Sequence, residues 1–270
     1  MSAARPLALV TGGLHRIGAA IAARLAGAGY DLALHSRSGG EAEPELADAI
    51  RTTACDWAYL AQDLSQTGGA TALYGAVVER FGRCPTLLVN NASLFGADSI
   101  MDADDNAMSA HFAVNITAPV QLAREMARSL FGPSPSASAS EFDPSPSAGA
   151  SGHCVVNIID QRVRNPVPDQ FAYTVSKQAL WQATRTMAIA LAPAIRVNAV
   201  APGLTLPTED FAPGQMDRIA GMMPLQRLPS PPDIADAVLY LAQAQSVTGQ
   251  TIFVDGGAAM KSFERDFVAL

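Results

Sequence analysis

Short apolar runs alternate along the chain with longer segments whose apolar residues recur at helical spacing. The runs have the continuous apolar character of strands that are covered on both faces. We predict seven strands, at residues 6–11, 31–35, 56–62, 86–90, 154–159, 195–200 and 251–254. Helices are predicted at 17–28, 69–81, 105–131, 171–191 and 232–243. This alternation predicts an α/β fold with a doubly wound parallel sheet and helices on both faces.

One segment departs from this pattern. Residues 132–152 are almost entirely Ser, Pro, Ala and Gly, a composition that buries too little apolar surface to offset the entropy of ordering. Because the alternation continues on both sides, we interpret the segment as a flexible insertion into a single domain spanning 1–270. A surface loop is favoured over a regulatory or docking role. Residues 205–230 are predicted to form the substrate loop region, with 205–221 covering the substrate.

Composition excludes several classes of protein. Of 270 residues, 49% are hydrophobic and 16% are charged, which indicates a buried core and not a disordered chain. The net charge is −7 and the basic residues are scattered, so nucleic acid is not an expected partner. Dispersed cysteines and histidines support neither a disulfide framework nor a metal site. The chain has no apolar run of about 18 residues and no signal-peptide pattern, so we expect a cytoplasmic protein without a membrane partner.

A glycine-rich turn follows the first predicted strand. Thr11 is followed by Gly12 and Gly13, and Gly18 lies at the start of the predicted helix. Strand, glycine turn and helix bring backbone N–H groups and a helix N-terminus up to a phosphate. We therefore predict a Rossmann-type dinucleotide-binding domain.

The end of the second strand indicates which dinucleotide is bound. NAD enzymes of this fold usually place a carboxylate there to accept from the ribose 2′-hydroxyl. This chain has His35, Ser36, Arg37 and Ser38 instead. A guanidinium and two hydroxyls suit a 2′-phosphate. Arg37 as a solvated loop residue is the alternative, but the missing acid favours NADPH as the cofactor.

Tyr173 and Lys177 stand four residues apart, so on a helix their side chains leave the same face. A nearby ammonium stabilises a phenolate, which would lower the pKa of the tyrosine from its ordinary value near ~10. Lys177 and Lys261 are the only lysines beside sixteen arginines, which suggests that a compact ammonium is needed at Lys177. Taken alone, the pair also fits an ordinary amphipathic helix.

Together these features resemble the short-chain dehydrogenase/reductase family. The first turn is similar to the family's Thr-Gly-x-x-x-Gly-x-Gly motif, with Arg16 in place of the middle glycine. Further motifs follow in family order over nearly the whole chain: Asn90-Asn91-Ala92, Asn115, Tyr173-x-x-x-Lys177, Pro202-Gly203 and Val254-Asp255-Gly256-Gly257.

The resemblance implies a role for each matching residue. Tyr173 would be the general acid, Lys177 would hold the nicotinamide ribose, and Asn115 would maintain a water-linked proton path. Asp63 would contact the adenine, and Asn91 with Ala92 would line the adenosine ribose. Without the resemblance, Asn115 would be interpreted as a residue at a helix kink and Asp63 as a strand-end cap. The predicted cofactor-binding residues are Gly12, His15, Arg16, Ile17, Gly18, His35, Ser36, Arg37, Asp63, Leu64, Asn91, Ala92, Ser93, Tyr173, Lys177, Pro202 and Gly203.

Asp160 departs from the general family, in which most members carry serine at this position. A carboxylate would repel the oxyanion that develops on a ketone, but it suits a C=N bond whose nitrogen receives a proton. Arg16, Asp160 and the run 91–95 together resemble the pteridine reductase branch, which includes bacterial dihydromonapterin reductases. In that branch an aromatic matching Phe95 stacks on the pterin, and residues matching Ser93 and Arg16 contact the pterin or a cofactor phosphate. A core aromatic is the alternative for Phe95.

We therefore predict an NADPH-dependent reductase that converts a dihydropterin, such as dihydrobiopterin or dihydromonapterin, to its tetrahydro form; whether dihydrofolate is also reduced stays open at this point. The predicted catalytic residues are Asp160, Tyr173, Lys177 and Asn115, and the predicted substrate-binding residues are Arg16, Ser93, Phe95, Asp160, Tyr173 and Leu204. One alternative is a carbonyl reductase acting on ketones or 3-oxoacyl thioesters. Another is a non-catalytic NADPH-binding sensor, which would not need the complete proton-transfer set. The resemblance also implies a homotetramer assembled through 105–131 and 171–191.

Overall fold

The computed structural model describes residues 5–131, 152–209 and 211–270. Seven parallel strands in these ranges form one sheet in the order β3-β2-β1-β4-β5-β6-β7. The strands are β1 (Leu7–Thr11), β2 (Asp31–Ser36), β3 (Trp57–Ala61), β4 (Leu87–Asn90), β5 (His153–Ile158), β6 (Ile195–Pro202) and β7 (Thr251–Val254). The α-helices are α1 (Arg16–Gly27), α2 (Pro44–Thr53), α3 (Gly69–Phe81), α4 (Asp105–Phe112), α5 (Ala118–Phe131), α6 (Phe171–Ala190), α7 (Gln215–Met222) and α8 (Pro231–Gln243). The predicted doubly wound parallel sheet is confirmed.

The hydrophobic core lies on both faces of the sheet because successive strand residues point to opposite sides. In β1, Ala8 and Val10 pack with α1, α2 and α8, whereas Leu7 and Leu9 pack with α3, α5 and the end of α6. All four side chains are fully buried. A buried leucine of this kind contributes about 1.5–3 kcal/mol to folding. Covering both faces explains why the central strands are continuously apolar.

The strand order reverses between β1 and β4, which are hydrogen-bonded neighbours. Connections from these two strands run to opposite faces of the sheet, so a crevice opens at their carboxyl ends. The glycine turn after β1 and the segment after β4 meet at this crevice. The fold therefore places both predicted motifs at one site.

Four features differ from the predicted elements. Helix α2 was not predicted, because it is short, contains few large apolar residues and has Leu46 as its one fully buried residue. Helix α7 lies inside the predicted substrate loop. The predicted helix at 105–131 is divided by a π-helical turn, Ala113–Thr117. Strand β3 is half exposed because it is an edge strand.

The predicted insertion at 132–152 lies outside the described residues apart from Gly152, so its flexibility stays a prediction. Within the described ranges, no helix combines the length and apolar character needed to cross a membrane.

Candidate active site

A cavity of about 520 Å³ opens at the carboxyl ends of the strands. Its walls are the glycine turn, the segment after β4, the segment after β5, the start of α6, the segment after β6 and the C-terminal residues. The predicted residues that line it are Gly12, His15, Arg16, Ile17, Gly18, Ser36, Asn91, Ala92, Ser93, Phe95, Asp160, Tyr173, Gly203 and Leu204. Most of the predicted site is thus brought together in one place.

The glycine turn is packed so closely that a side chain is excluded at Gly18. A Cβ atom there would lie 1.9 Å from the carbonyl oxygen of Gly12. Asn91 holds the turn to β4, because its Nδ2 donates to the carbonyl oxygens of Thr11 (2.9 Å) and Gly12 (3.0 Å). The Thr11 hydroxyl in return accepts from the backbone N–H groups of Asn91 and Ala92, both at 3.0 Å. The two segments form one rigid backbone cradle.

Arg16 occupies the position of the missing middle glycine with a φ of 55°. This left-handed conformation costs an L-residue roughly 1–2 kcal/mol. Its backbone N–H donates to Glu43 Oε1 at 2.5 Å, and the residue lines the cavity. Arg16 therefore lines the cavity although its backbone adopts a conformation that glycine would accommodate more easily.

His35 was predicted to bind the cofactor, but its side chain lies beneath the turn and does not line the cavity. It is 2% exposed; its Nδ1 accepts from the Gly12 N–H at 3.3 Å, and its Nε2 lies 2.8 Å from the Gln62 carbonyl oxygen. This arrangement requires the neutral tautomer with the proton on Nε2. Burial lowers the pKa of His35, against a smaller opposing effect of the Gln62 hydrogen bond. His35 supports the turn from below.

The end of β2 fits a phosphorylated ribose. Ser36 lines the cavity, Arg37 is exposed beside it, and no carboxylate follows β2 at positions 37 and 38. Asp63 Oδ1 accepts from the Ser65 hydroxyl (2.7 Å) and N–H (2.9 Å). These hydrogen bonds, with a smaller effect of Arg37, lower the pKa of Asp63. Asp63 is thus a strand-end cap in the structure, and its contact with adenine stays a prediction.

Leu64 and Pro202 do not line the cavity. Leu64 packs in the core against the α3 side of the sheet, and Pro202 is the buried last residue of β6. Pro202 directly precedes the cavity-lining Gly203, and the predicted contact of both residues with the cofactor stays a prediction.

The catalytic side of the cavity centres on Asp160 and Tyr173. Asp160 follows β5 and caps a 3-10 turn, Gln161–Val163, through a hydrogen bond from the Arg162 N–H to its Oδ1 (2.9 Å). Its Oδ2 accepts from the Tyr173 hydroxyl at 2.9 Å. Lys177 lies one helical turn further along α6, 5.7 Å from the centre of the Tyr173 ring, and its Nζ donates to the Ile158 carbonyl oxygen at 2.8 Å. Three of the four predicted catalytic residues, Asp160, Tyr173 and Lys177, are thus in contact or adjacent.

The expectation that Lys177 lowers the pKa of Tyr173 is wrong. Burial, followed by the charge of Asp160, raises the pKa of Tyr173 well above its ordinary value. The cation that opposes this effect is Arg162. Burial also lowers the pKa of Lys177 to about 8, although Asp160 acts in the other direction. Tyr173 consequently keeps its proton at neutral pH, with its hydroxyl directed at a carboxylate.

Phe95 is not a core residue, because it is 51% exposed. Its ring meets the Tyr173 ring edge to face with centroids 4.9 Å apart. Aromatic rings in this geometry contribute beyond their buried area. Phe95 is therefore available at the cavity beside the hydroxyl of Tyr173.

Asn115 lies in the π-helical turn and fixes the segment that carries Phe95. Its Oδ1 accepts from the Leu94 N–H at 2.7 Å and from the Ser93 hydroxyl at 3.2 Å. Its Nδ2 donates to the Leu94 carbonyl oxygen and to Ser176 Oγ, both at 2.9 Å. The expected proton path through Asn115 stays a prediction. What the structure shows is a positioning function.

Several cavity residues were missed by the sequence analysis. They are Leu14, Gln161, Arg162, Asp266, Phe267 and Val268, whereas Thr205, Leu206, Thr208 and Phe211 also line the cavity and lie in the predicted substrate loop region. Arg162 stands two residues after Asp160, but no local pattern indicates that a charged side chain there is buried. Asp266, Phe267 and Val268 belong to a C-terminal segment that carries no motif, so the sequence did not indicate that this segment lines the cavity.

Fold and site together define a dinucleotide-dependent oxidoreductase. Residues 13–259 match a family model described as enoyl-(acyl carrier protein) reductase. The chain belongs to this family, within the short-chain dehydrogenases/reductases. Because the family uses a nicotinamide cofactor and the end of β2 fits a 2′-phosphate, the protein is an NADPH-dependent reductase.

Individual relatives differ in their activities. The chain is similar to a crystal structure of the FolM alternative dihydrofolate reductase 1 from Brucella canis complexed with NADP (39% identity, TM-score 0.80, 97% of each chain covered). A Streptomyces violaceoruber protein named granaticin polyketide synthase putative ketoacyl reductase 2 is 35% identical, over 94% of this chain and 96% of the relative. Pteridine reductase 1 of Leishmania tarentolae is 30% identical over the same shares. By their names, these relatives act on different classes of substrate.

Proposed function

We propose that the protein reduces a dihydropterin, including dihydrofolate, to its tetrahydro form with NADPH. The observation that carries this proposal is the pair formed by Asp160 and Tyr173, whose oxygens are 2.9 Å apart beside the half-exposed ring of Phe95. A flat heterocycle would stack on Phe95 with its reacting bond near the Tyr173 hydroxyl. The site thereby pairs an aromatic surface with a proton donor.

The charge of Asp160 favours a nitrogen acceptor over a ketone. Reduction of a ketone forms an oxyanion, which the carboxylate would repel, whereas a protonated ring nitrogen becomes a neutral amine. The nicotinamide supplies the hydride to the adjacent ring carbon when NADPH is bound. Tyr173 delivers the proton, and Lys177 and Arg162 place two cations near the phenolate that remains. Holding both reactants in one cavity contributes further to the rate.

Two relatives support the assignment by their names. The Brucella canis protein is an alternative dihydrofolate reductase, and the Leishmania tarentolae protein is a pteridine reductase. Both are similar to this chain over more than nine-tenths of its length.

The test is NADPH oxidation with dihydrobiopterin, dihydromonapterin and dihydrofolate, beside simple ketones and 3-oxoacyl thioesters. We expect turnover of at least one dihydropterin. Asp160→Asn keeps the shape of the side chain but removes the charge, and it should lower dihydropterin turnover by about 100-fold if the charged pair supports proton transfer. Activity on ketones or thioesters alone would contradict the proposal.

Carbonyl reduction is the second candidate, and the granaticin ketoacyl reductase relative favours it. In that case Asp160 would be turned away from the reacting oxygen. Asp160→Ser separates the two candidates, because dihydropterin turnover should fall while ketone turnover should persist or rise. A rise in ketone turnover with no measurable dihydropterin activity in the parent protein would establish the second candidate.

A cytoplasmic homotetramer is part of the same proposal. Two large apolar residues, Val120 on α5 and Ile189 on α6, are exposed on the helices expected at the interfaces. Light scattering of the purified protein would give the mass of the assembly. A monomer at micromolar concentration would contradict the tetramer without affecting the enzymatic proposal.

A further inference from the structure

Arg162 is a charged side chain buried in the wall of the cavity, with a residue exposure of 7%. All three of its side-chain nitrogens are engaged. Nε donates to Asp160 Oδ1 at 3.3 Å, Nη1 donates to Gln170 Oε1, and Nη2 donates to Asp266 Oδ2 at 2.7 Å. The guanidinium carbon also lies 5.4 Å from the centre of the Tyr173 ring. Three of the five N–H donors of the guanidinium are therefore bound to other protein groups.

Arg162 lies between two carboxylates that come from distant parts of the chain. Asp160 follows β5, and Asp266 lies near the C-terminus. Their side chains are 18% and 7% exposed. Burying two carboxylates near each other requires a cation between them, and removing that cation leaves unpaired buried charge. Burial alone would lower the pKa of Arg162, but the negative neighbours, Asp160 first, raise it above its ordinary value.

The contacts of Arg162 also set the direction of the Asp160 carboxylate. Arg162 holds Oδ1 through both its backbone N–H and its Nε. Oδ2 is thereby left to accept from the Tyr173 hydroxyl. Without the guanidinium, Oδ1 would keep one hydrogen bond, and the carboxylate could rotate away from Tyr173.

Asp266 belongs to the C-terminal segment, residues 263–270, which closes one side of the cavity. Its Oδ1 caps a final 3-10 turn, Phe267–Ala269, by accepting from the Val268 N–H at 3.0 Å. Its own N–H donates to Asp169 Oδ2 at 2.7 Å, next to the paired hydrogen bonds between Arg265 and Asp169. The C-terminal segment is thus docked beside the start of α6.

The same segment holds helix α7. Gln215 Nε2 donates to the carbonyl oxygens of Phe267 (2.9 Å) and Val268 (3.0 Å). The Phe267 ring packs with Ile219 and Met223 of the α7 region. Because Phe267 and Val268 line the cavity, the segment links the substrate loop to the catalytic side.

We propose that Arg162 is a positioning residue that directs Asp160 at Tyr173 and makes this orientation depend on the docked C-terminal segment through Asp266. The inference rests on the part that the proposed function gives to Asp160. It adds that the C-terminal segment influences the catalytic rate through Arg162.

The test compares three variants with a control. Arg162→Met should lower kcat by about 100-fold, since small misplacements of reacting groups have effects of this size. Asp266→Asn keeps a hydrogen bond but loses the charge, and should lower kcat by about 10-fold through the same misplacement. Arg162→Lys keeps the positive charge but lacks the planar guanidinium, so its kcat should lie between those of Arg162→Met and the parent protein. Arg164→Met removes an exposed arginine from the same loop and should leave kcat unchanged.

Two further measurements separate positioning from general damage. NADPH affinity, measured by fluorescence titration, should stay within about twofold of the parent value in all variants, because the glycine turn does not contact Arg162. The double variant of Arg162→Met and Asp266→Asn should be no slower than Arg162→Met alone, since Asp266 acts through Arg162. Multiplying effects, or unchanged kcat in Arg162→Met, would overturn the proposal. If Arg162→Met does not fold, unchanged kcat in Asp266→Asn overturns it in the same way.

The proposed function is tested separately within this experiment. Turnover of dihydropterins by the parent protein decides the substrate. The ratios of kcat among the variants, measured on the best substrate of the panel, decide the role of Arg162.

Discussion

The two ends of the cavity are constructed in different ways. At the cofactor end, the contacts that define the site are made by backbone atoms of the glycine turn and by Asn91, and a Cβ at Gly18 would lie 1.9 Å from a carbonyl oxygen. At the substrate end, the contacts are made by charged side chains, with Asp160, Arg162 and Asp266 joined across distant segments. The first end depends on the absence of side chains, and the second depends on their charges.

This difference indicates which kind of substitution should impair cofactor binding and which should impair catalysis. Backbone cradles fail when atoms are added, and charged side-chain networks fail when atoms or charges are removed. We therefore expect substitutions at one end to alter cofactor affinity and substitutions at the other to alter kcat. Four predictions test this separation, in order of decreasing expected effect.

Tyr173→Phe should impair catalysis at the substrate end without affecting the cofactor end. Loss of the proton donor is expected to lower kcat by about 10²–10⁴-fold, the usual contribution of a positioned acid. NADPH affinity should be unchanged. Tyr240→Phe, at an exposed tyrosine on α8, is the control and should retain full activity. Similar losses in both variants would show that the effect is not specific to the site.

Gly18→Ala should impair cofactor binding without affecting the charged groups at the substrate end. The new Cβ would displace the Gly12 carbonyl or the Asn91 side chain, so we expect NADPH affinity to fall by more than about 100-fold, or roughly 3 kcal/mol. Gly27→Ala in the same helix meets no atom within 4 Å and should bind NADPH normally. Fluorescence titration measures both. Equal affinities in the two variants would contradict the close packing of the turn.

Lys177 should give the substrate end a characteristic pH dependence. Burial lowers its pKa from 10.5 to about 8, so between these values the unfolded chain holds a proton that the folded chain has released. The free energy of unfolding should therefore rise with pH, by roughly 2 kcal/mol from pH 8 to pH 9.5, at about 1.4 kcal/mol per unit. Above pH 10 the raised pKa of Tyr173 acts in the opposite direction.

The measurement is urea unfolding at several pH values between 8 and 9.5. Lys177→Met should remove the rise, whereas Lys261→Met, at the exposed second lysine, should retain it. A parallel pH dependence in all three proteins would place the titrating group elsewhere.

Arg16→Gly should have the smallest of the four effects on stability or activity. It tests a residue that lies between the cofactor end and the substrate end of the cavity. Relief of the left-handed conformation should raise the free energy of unfolding by about 1 kcal/mol. Ala54→Gly, at an exposed residue with a φ of 48°, should give a similar gain. Only Arg16→Gly should also raise the KM for NADPH or the dihydropterin. Unchanged KM values would mean that Arg16 does not contact either molecule.

The sequence predicted the cofactor end well because its signals are local. The glycine turn, the buried strands and the missing carboxylate after β2 are all contained in short stretches, and the structure brings them to one crevice. Helix α2 was missed because it is short and contains few large apolar residues, of which only Leu46 is fully buried. The substrate end was predicted only in part, since the ion pair of Arg162 with Asp266 joins segments that are far apart in the chain. The direction of the Tyr173 pKa also depended on burial, which the spacing to Lys177 does not reveal.

The π-helical turn at Asn115 changes the rotational phase of the residues that follow it about the helix axis. An α-helix has 3.6 residues per turn, so one additional residue rotates everything beyond it by about 100°. Residues of α4 and α5 are therefore out of the phase that a regular α-helix would give them, although the two helices are continuous. Removing one residue from Ala113–Thr117 would bring them into phase and turn Asn115 away from Leu94. The extra residue thus acts as a phase shift: Asn115 turns toward Ser93 and Leu94, beside the cavity, while α5 packs in the hydrophobic core.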